Sequence, residues 1–342
     1  MPGIVDRTDG FQRRHKIVGF PLAVLYKYFD DQGPYLAAIL TYYAFIAIFP
    51  LLLIASSVLG FLLQGNPELQ ADLLDSALMR FPIVGSQLGR PEGIQGSTTA
   101  VIVGGLAALY GVTGLGQAAQ HALNVAWAVP RNSRLNPVVG RVRGLLSLSV
   151  AGVAVLMVTF VSGVIGNLGS FGVDLGLFLV GLSTLLSVAA TSVVLALMMR
   201  YTTSRRPSFR TSLPGAVVIA ILWHALQVLG GAYVRDVVSR TTEMNAVFAL
   251  VLGLVVLLFA AAAFGVLGLE VNVVLRERLY PRALLTPFTD AVQLTEADRR
   301  AYASYAKAQR HKGFQNVDVT YDQPRRDEHA DSPGQDREPL DR

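Results

Sequence analysis

Six long apolar runs, none interrupted by a lysine or arginine, limit what this chain can fold into: residues 36–63, 98–117, 144–168, 173–199, 213–234 and 246–275. A helix rises about 1.5 Å per residue and needs roughly 20 apolar residues to cross a hydrocarbon core of about 30 Å. Every run reaches that length, and the only acidic residues within them are Asp174 and Glu270. The composition agrees, with 52% hydrophobic and only 15% charged residues, where a soluble domain carries about 25% charged. The expected fold is therefore all-α, a polytopic membrane protein with six transmembrane helices. With no cysteine in the chain, a disulfide scaffold, a thiolate zinc site and a cysteine nucleophile are excluded.

The charges between the runs give an orientation. If the runs alternate across a membrane, 25 of the 29 Lys and Arg residues fall on one side, and only Arg80, Arg90, Arg235 and Arg240 fall on the other. Basic residues are retained on the cytoplasmic side, which predicts that both termini are cytoplasmic, in accord with an even number of spans. The net charge of +5 then reports topology and contact with anionic lipid rather than nucleic acid. The loop residues Arg131, Arg134, Arg141 and Arg143, and Arg205, Arg206 and Arg210, have no acidic neighbour in their clusters and are expected to meet lipid headgroups.

Four segments follow. Residues 1–34 form a cytoplasmic segment in which Leu22, Leu25, Tyr26 and Phe29 are spaced as on an interfacial helix. Residues 35–275 hold the six-helix domain. Its long external loop contains an apolar stripe of Leu69, Leu73, Leu74 and Leu78 after the helix-starting pair Asn66-Pro67. In residues 276–310, Thr295 and Asp298 suggest a capping box opening a helix. Residues 311–342 are polar and rich in Asp, Arg, Gln and Pro, a composition expected to stay disordered. A charged stretch precedes the first apolar run, which is longer than the core of a cleavable signal.

Several ordered pieces resemble a known family. Leu40-Thr41-Tyr42-Tyr43 and Phe49-Pro50-Leu51-Leu52 in the first run, Asn124 and Trp127 after the second, Arg206-Pro207-Ser208, Leu213-Pro214-Gly215-Ala216 and Trp223 around the fifth, and Gly268-Leu269-Glu270-Val271-Asn272 closing the sixth are together similar to the YihY/BrkB family of bacterial inner-membrane proteins. The chain departs from that pattern before the last span, where Met244-Asn245-Ala246 stands in place of a Tyr-Gly pair. The resemblance implies a six-span protein of the inner membrane, linked with envelope integrity and with movement of lipid or solute.

Polar residues inside apolar spans are costly and need partners. His224 falls near the middle of the fifth span, either as a packing residue bonded to a neighbouring helix or as a group that handles protons or substrate. Glu270 is expected near the cytoplasmic end of the sixth. There it reaches headgroup water, pairs with a basic loop residue such as Arg206 or Arg210, or faces inward to bind a cation or the polar part of a substrate. Asn272 lies about 200° around the helix from Glu270, so the two address different neighbours. Gln117, Gln120, His121 and Asn124 recur at i, i+3, i+4 and i+7 and form one polar side, suggesting a vestibule or interhelical hydrogen bonds. Thr41, Tyr42 and Tyr43 lie at a similar depth, and Pro50 leaves a carbonyl without its helical donor and marks a kink or hinge. Glycines in the second, fifth and sixth spans allow close helix contact.

No Walker loop, Gly-x-Ser-x-Gly, His-Glu-x-x-His or two-metal acidic cluster occurs. The expectation is a protein that is not an enzyme and has no metal or cofactor. Its partners are then membrane lipids and a small solute or lipid substrate. The leading reading is a transporter or lipid-translocating protein, and the alternative is a scaffold that recruits partners through its basic loops and tail.

Overall fold

The computed structural model describes residues 4–62, 98–167, 176–240, 243–284, 286 and 292–321, and among them every regular element is helical. Two short helices, α1 (Ile4–Arg14) and α2 (Lys16–Asp30), lead into six long ones. These are α3 (Gly33–Leu62), α4 (Thr98–Ala126), α5 (Pro137–Asn167), α6 (Gly176–Thr202), α7 (Phe209–Arg240) and α8 (Glu243–Glu277). A last helix, α9 (Glu296–Ala308), starts at a capping box in which Thr295 and Asp298 each accept from the other's backbone N–H. The stripe at Leu69 to Leu78 lies outside the described residues.

Each apolar run coincides with one long helix, and the packing follows chain order. α3 packs on α4, α4 on α5, α5 on α6, α6 on α7 and α7 on α8, and the ring closes where α8 returns to α3. Among the described residues, Gly181–Thr202, Phe209–Ala232 and Val251–Glu277 are long and apolar enough to cross a membrane, and Gly33–Ile48 is a shorter apolar helix. Large apolar side chains such as Leu106, Leu146, Val150, Phe178, Leu229 and Phe248 stand on the outside. A water-soluble protein rarely exposes apolar surface on that scale.

Two glycine pairs allow close approaches in the ring. A Cβ on Gly116 would lie 2.9 Å from the backbone of Gly144, so only hydrogen fits where α4 meets α5. Gly215 and Gly268 do the same for α7 and α8, where a Cβ on Gly268 would stand 2.8 Å from the Gly215 carbonyl. By contrast, Gly105, Gly231 and Gly265 face open space and are not contact points.

One end of the ring is covered by α1, α2, α9 and the segment that follows α8, which together form a cap. A single apolar core joins cap and ring, with Ala23, Val24 and Tyr28 of α2 against Ala126 and Trp127 of α4, Val266 and Val274 of α8 and Ala301 of α9. α2 thus buries the face opposite its apolar stripe: Leu25 and Phe29 are exposed, while Gly19, Ala23, Lys27 and Tyr28 are buried. Of the tail, residues 311–321 are described. They run along α9, where the Tyr321 hydroxyl donates to the Arg299 carbonyl at 2.9 Å.

Candidate functional site

The joint between cap and ring buries three charged groups. Glu270 of α8 and Lys27 of α2 are 0% and 1% exposed, and Asp31, just past α2, is 6% exposed. Lys27 and Asp31 lie four residues apart, which stacks them on one helix face, and the ammonium donates to the Asp31 carboxylate. It also donates to the Ala126 carbonyl at the end of α4, at 3.0 Å. The Lys27 Nζ stands 3.3 Å from Glu270 Oε2 as an ion pair, yet neither oxygen of Glu270 accepts a hydrogen bond. Tyr305 of α9 closes the site, its ring 5.2 Å from the ammonium.

The environment acts on the cap residues in predictable directions. Burial works against the Lys27 charge, but the carboxylates of Glu270 and Asp31 outweigh it and hold the ammonium above the ordinary lysine range. Burial raises the Asp31 carboxyl above its usual range, with Lys27 opposing. Burial, reinforced by the carboxylates of Asp31, Asp30 and Glu270, pushes the Tyr305 phenol well above the usual tyrosine value.

A second buried charge lies beside the first. Arg282, in the segment after α8, is fully buried. It pairs with Asp298 at the start of α9 and, at 3.0 Å, with Asp30. Asp298 also accepts from the backbone N–H groups of Ala283 and Thr295, each at 2.9 Å. The Arg282 carbonyl accepts from Gln12 Nε2 at 2.5 Å, and Asp9 accepts from the Leu284 N–H at 2.8 Å, which ties α1 to the same segment. The helices α1, α2 and α9 and the described residues between α8 and α9 are therefore knitted together.

Of the residues singled out in the sequence, only Glu270 enters the charged site. Its cationic partner is Lys27, so the alternatives Arg206 and Arg210 are set aside. Asn272, also buried, turns to α7: its Oδ1 accepts from the Gly215 N–H at 2.7 Å and its Nδ2 donates to the Ser212 carbonyl at 3.1 Å. Gln120 is buried and donates to the Thr202 carbonyl at 3.2 Å, and Asn124 is buried with its Oδ1 unpaired among the described residues. Gln117 is half-buried and His121 exposed, so the stripe faces two environments. Thr41 is spent on its own helix, donating to the Ala37 carbonyl at 2.7 Å. Tyr42 is exposed, and Tyr43 meets Tyr110 of α4 at 6.0 Å between ring centres. His224 is half-buried and has no partner among the described residues. It stands about 14 Å along α7 from Gly215, at 1.5 Å per residue, well away from the charged site. Pro50 falls inside α3, and its side chain lies outside the described residues.

Three of the basic loop residues are engaged within the chain. Arg131 donates to Gln309 at 3.1 Å, and Arg205 pairs with Glu277 at 3.0 Å over the Trp127 ring. Arg134 donates to the Val129 carbonyl at 3.3 Å. Arg141, Arg206 and Arg210 are exposed and Arg143 half-exposed. Among the described residues no group of His, Asp and Glu is arranged to hold a metal ion.

Sequence reasoning missed Lys27, Asp31, Arg282 and Tyr305. The available signal was Lys27 inside the apolar pattern of α2, four residues before Asp31, a spacing that on a purely interfacial helix reads as a solvated pair.

Apolar outer faces around a helical ring, with ion pairs buried at one end, define a helical membrane protein. The family model described as Virulence factor BrkB matches residues 24–290. The chain belongs to that family, and Lys27, Asp31, Glu270, Asn272 and Arg282 all fall within the matched residues. No curated protein and no solved structure matches the chain.

Proposed function

We propose that this protein is a six-span transporter or lipid-translocating protein of the bacterial inner membrane that supports the cell envelope. In this reading both termini and the cap lie in the cytoplasm, as the asymmetry of Lys and Arg favours. It is not an enzyme. Its partners are lipids, with Arg141, Arg143, Arg206 and Arg210 meeting anionic headgroups, and a small solute or lipid is its cargo.

The observation that carries the reading is Glu270, a carboxylate with no solvent exposure and no hydrogen bond at the joint of ring and cap. Intramembrane acids are expensive, and they are retained where something charged is bound or moved. A scaffold gains nothing from a carboxylate left in that state, and apolar packing there would be as stable or more so. The scaffold reading draws instead on the exposed arginines, which leave a basic surface for partners. Reconstitution in liposomes separates the two. A transporter accelerates the crossing of a fluorescent phospholipid, or efflux from a panel of entrapped solutes, above protein-free vesicles. A folded protein that accelerates neither is a scaffold.

A further inference from the structure

The buried site holds more negative than positive charge. Lys27, Asp31 and Glu270 are all essentially inaccessible to water, and with every group ionised they sum to one uncompensated negative charge. The neighbours do not balance it. α2 adds Asp30, whose pairing is with Arg282. α9 adds the neutral phenol of Tyr305, whose hydroxyl reaches Asp30 at 3.5 Å. α3 and α4 contain no Lys, Arg, Asp or Glu at all, and Arg210 of α7 is exposed at that helix's first turn. A net charge without water or a counter-ion is removed in proteins by taking up or releasing a proton.

The hydrogen bonds point to the same missing component. Lys27 gives one proton to Asp31 and one to the Ala126 carbonyl. Its contact with Glu270 at 3.3 Å lacks hydrogen-bond geometry. The Glu270 and Asp31 carboxyls both lie against the one Lys27 ammonium, and two ionised carboxylates cannot bond, since neither is a donor. A proton on one of them supplies the donor and cancels the surplus charge in a single step.

We propose that Glu270 and Asp31 form a proton-binding site, in which two carboxyls share one proton beside Lys27 and release or capture it as the joint between ring and cap changes shape. The proton comes from cytoplasmic water and returns to it or crosses with the cargo, so the balance needs no other reactant. Asp30, with its side chain 14% exposed, and the Tyr305 hydroxyl beside it mark the route from solvent. That the proton drives movement of cargo rests on the function proposed above. Its presence at Glu270 and Asp31 does not.

Infrared difference spectroscopy of the full chain in lipid nanodiscs tests the site without a cargo. At neutral pH the wild type is expected to show the carbonyl stretch of one protonated, buried carboxylic acid, insensitive to the solvent pH. Glu270→Gln should abolish it. Asp31→Asn should abolish it too, although Glu270 remains, because one lysine then balances one carboxylate. Lys27→Met should double it. No such band in the wild type, or a band of unchanged intensity in folded Asp31→Asn, overturns the proposal. Flux in liposomes with no protonated carboxyl sinks the proton site and leaves the transporter, whereas the band without flux does the reverse.

Discussion

Two buried clusters at the same joint have the same formula, one cation and two carboxylates, and differ in how far their carboxylates are satisfied, although Nη1 of Arg282 also lacks a partner among the described residues. Around Arg282, Asp298 collects the guanidinium and the N–H groups of Ala283 and Thr295, and Asp30 keeps partial access to water. Around Lys27, Asp31 takes the ammonium and Glu270 is left without a hydrogen bond. A buried carboxylate with its bonds satisfied fixes geometry, whereas one left short is poised to bind or to change state. The comparison teaches that burial and charge alone do not mark a working site. What marks it is a carboxylate with neither oxygen hydrogen-bonded.

The largest effect should come from breaking the cluster whose carboxylates are both bonded. Arg282→Met leaves Asp298 and Asp30 facing each other and should cost about 3–5 kcal/mol, the usual loss when one partner of a buried pair is removed. Lys27→Met should cost clearly less, because Asp31 and Glu270 can take up protons. Melting curves of the two variants in one detergent make the comparison, and equal losses would erase the distinction between the clusters.

Asn272 offers a neutral control beside Glu270 on the same helix. Asn272→Ala strands the Gly215 N–H and the Ser212 carbonyl, and should lower stability by about 1–3 kcal/mol. It should leave any proton uptake unchanged, which a pH-jump measurement with a soluble indicator dye would check.

Alkaline pH sharpens the same contrast. Lys27 and Tyr305 both hold their protons above their ordinary range. A raised folded value means that the stabilisation is fully present below the unfolded value, about 10 for both groups. It is lost as pH rises through the folded values, because there the folded state binds more protons than the unfolded one. The melting temperature should fall above about pH 10, and the fall should flatten in a Lys27→Met, Tyr305→Phe double variant.

The smallest effect belongs to His224. Half-buried and away from both clusters, it should tolerate His224→Gln within about 0.5 kcal/mol, as substitutions outside special environments usually do. Wild type and variant should also give superimposable pH profiles of flux between about pH 5.5 and 8, where an unperturbed imidazole titrates.

The helices were legible because hydrocarbon leaves a chain few choices: the described part of every apolar run without a basic residue lies inside a long helix. The family was legible too, in ordered motifs such as Leu40 to Tyr43 and Gly268 to Asn272. The site was legible only through Glu270. Lys27 sits 243 positions before it, and nothing local tells that α2 turns Ala23, Lys27 and Tyr28 inward and leaves Leu25 and Phe29 outside. Hydrophobic spacing alone selects the apolar stripe as the buried face. That rule fails when two apolar surroundings, core and lipid, compete for the same helix. The polar stripe of α4 divides for a related reason, since Gln120 finds the Thr202 carbonyl and His121, one residue on, faces outward.

The central claim is that Glu270 works and does not merely hold the fold. Glu270→Gln keeps the shape and removes the charge, so melting temperature and liposome flux measured on the same preparation test it most directly. The account predicts a melting temperature equal to or above wild type, because a buried acid without a hydrogen bond is gone, with flux reduced at least about tenfold, a barrier change of about 1.4 kcal/mol. Wild-type flux in a folded Glu270→Gln protein, or a collapse in stability that takes flux with it, would contradict the claim and return Glu270 to a structural role like that of Asp298.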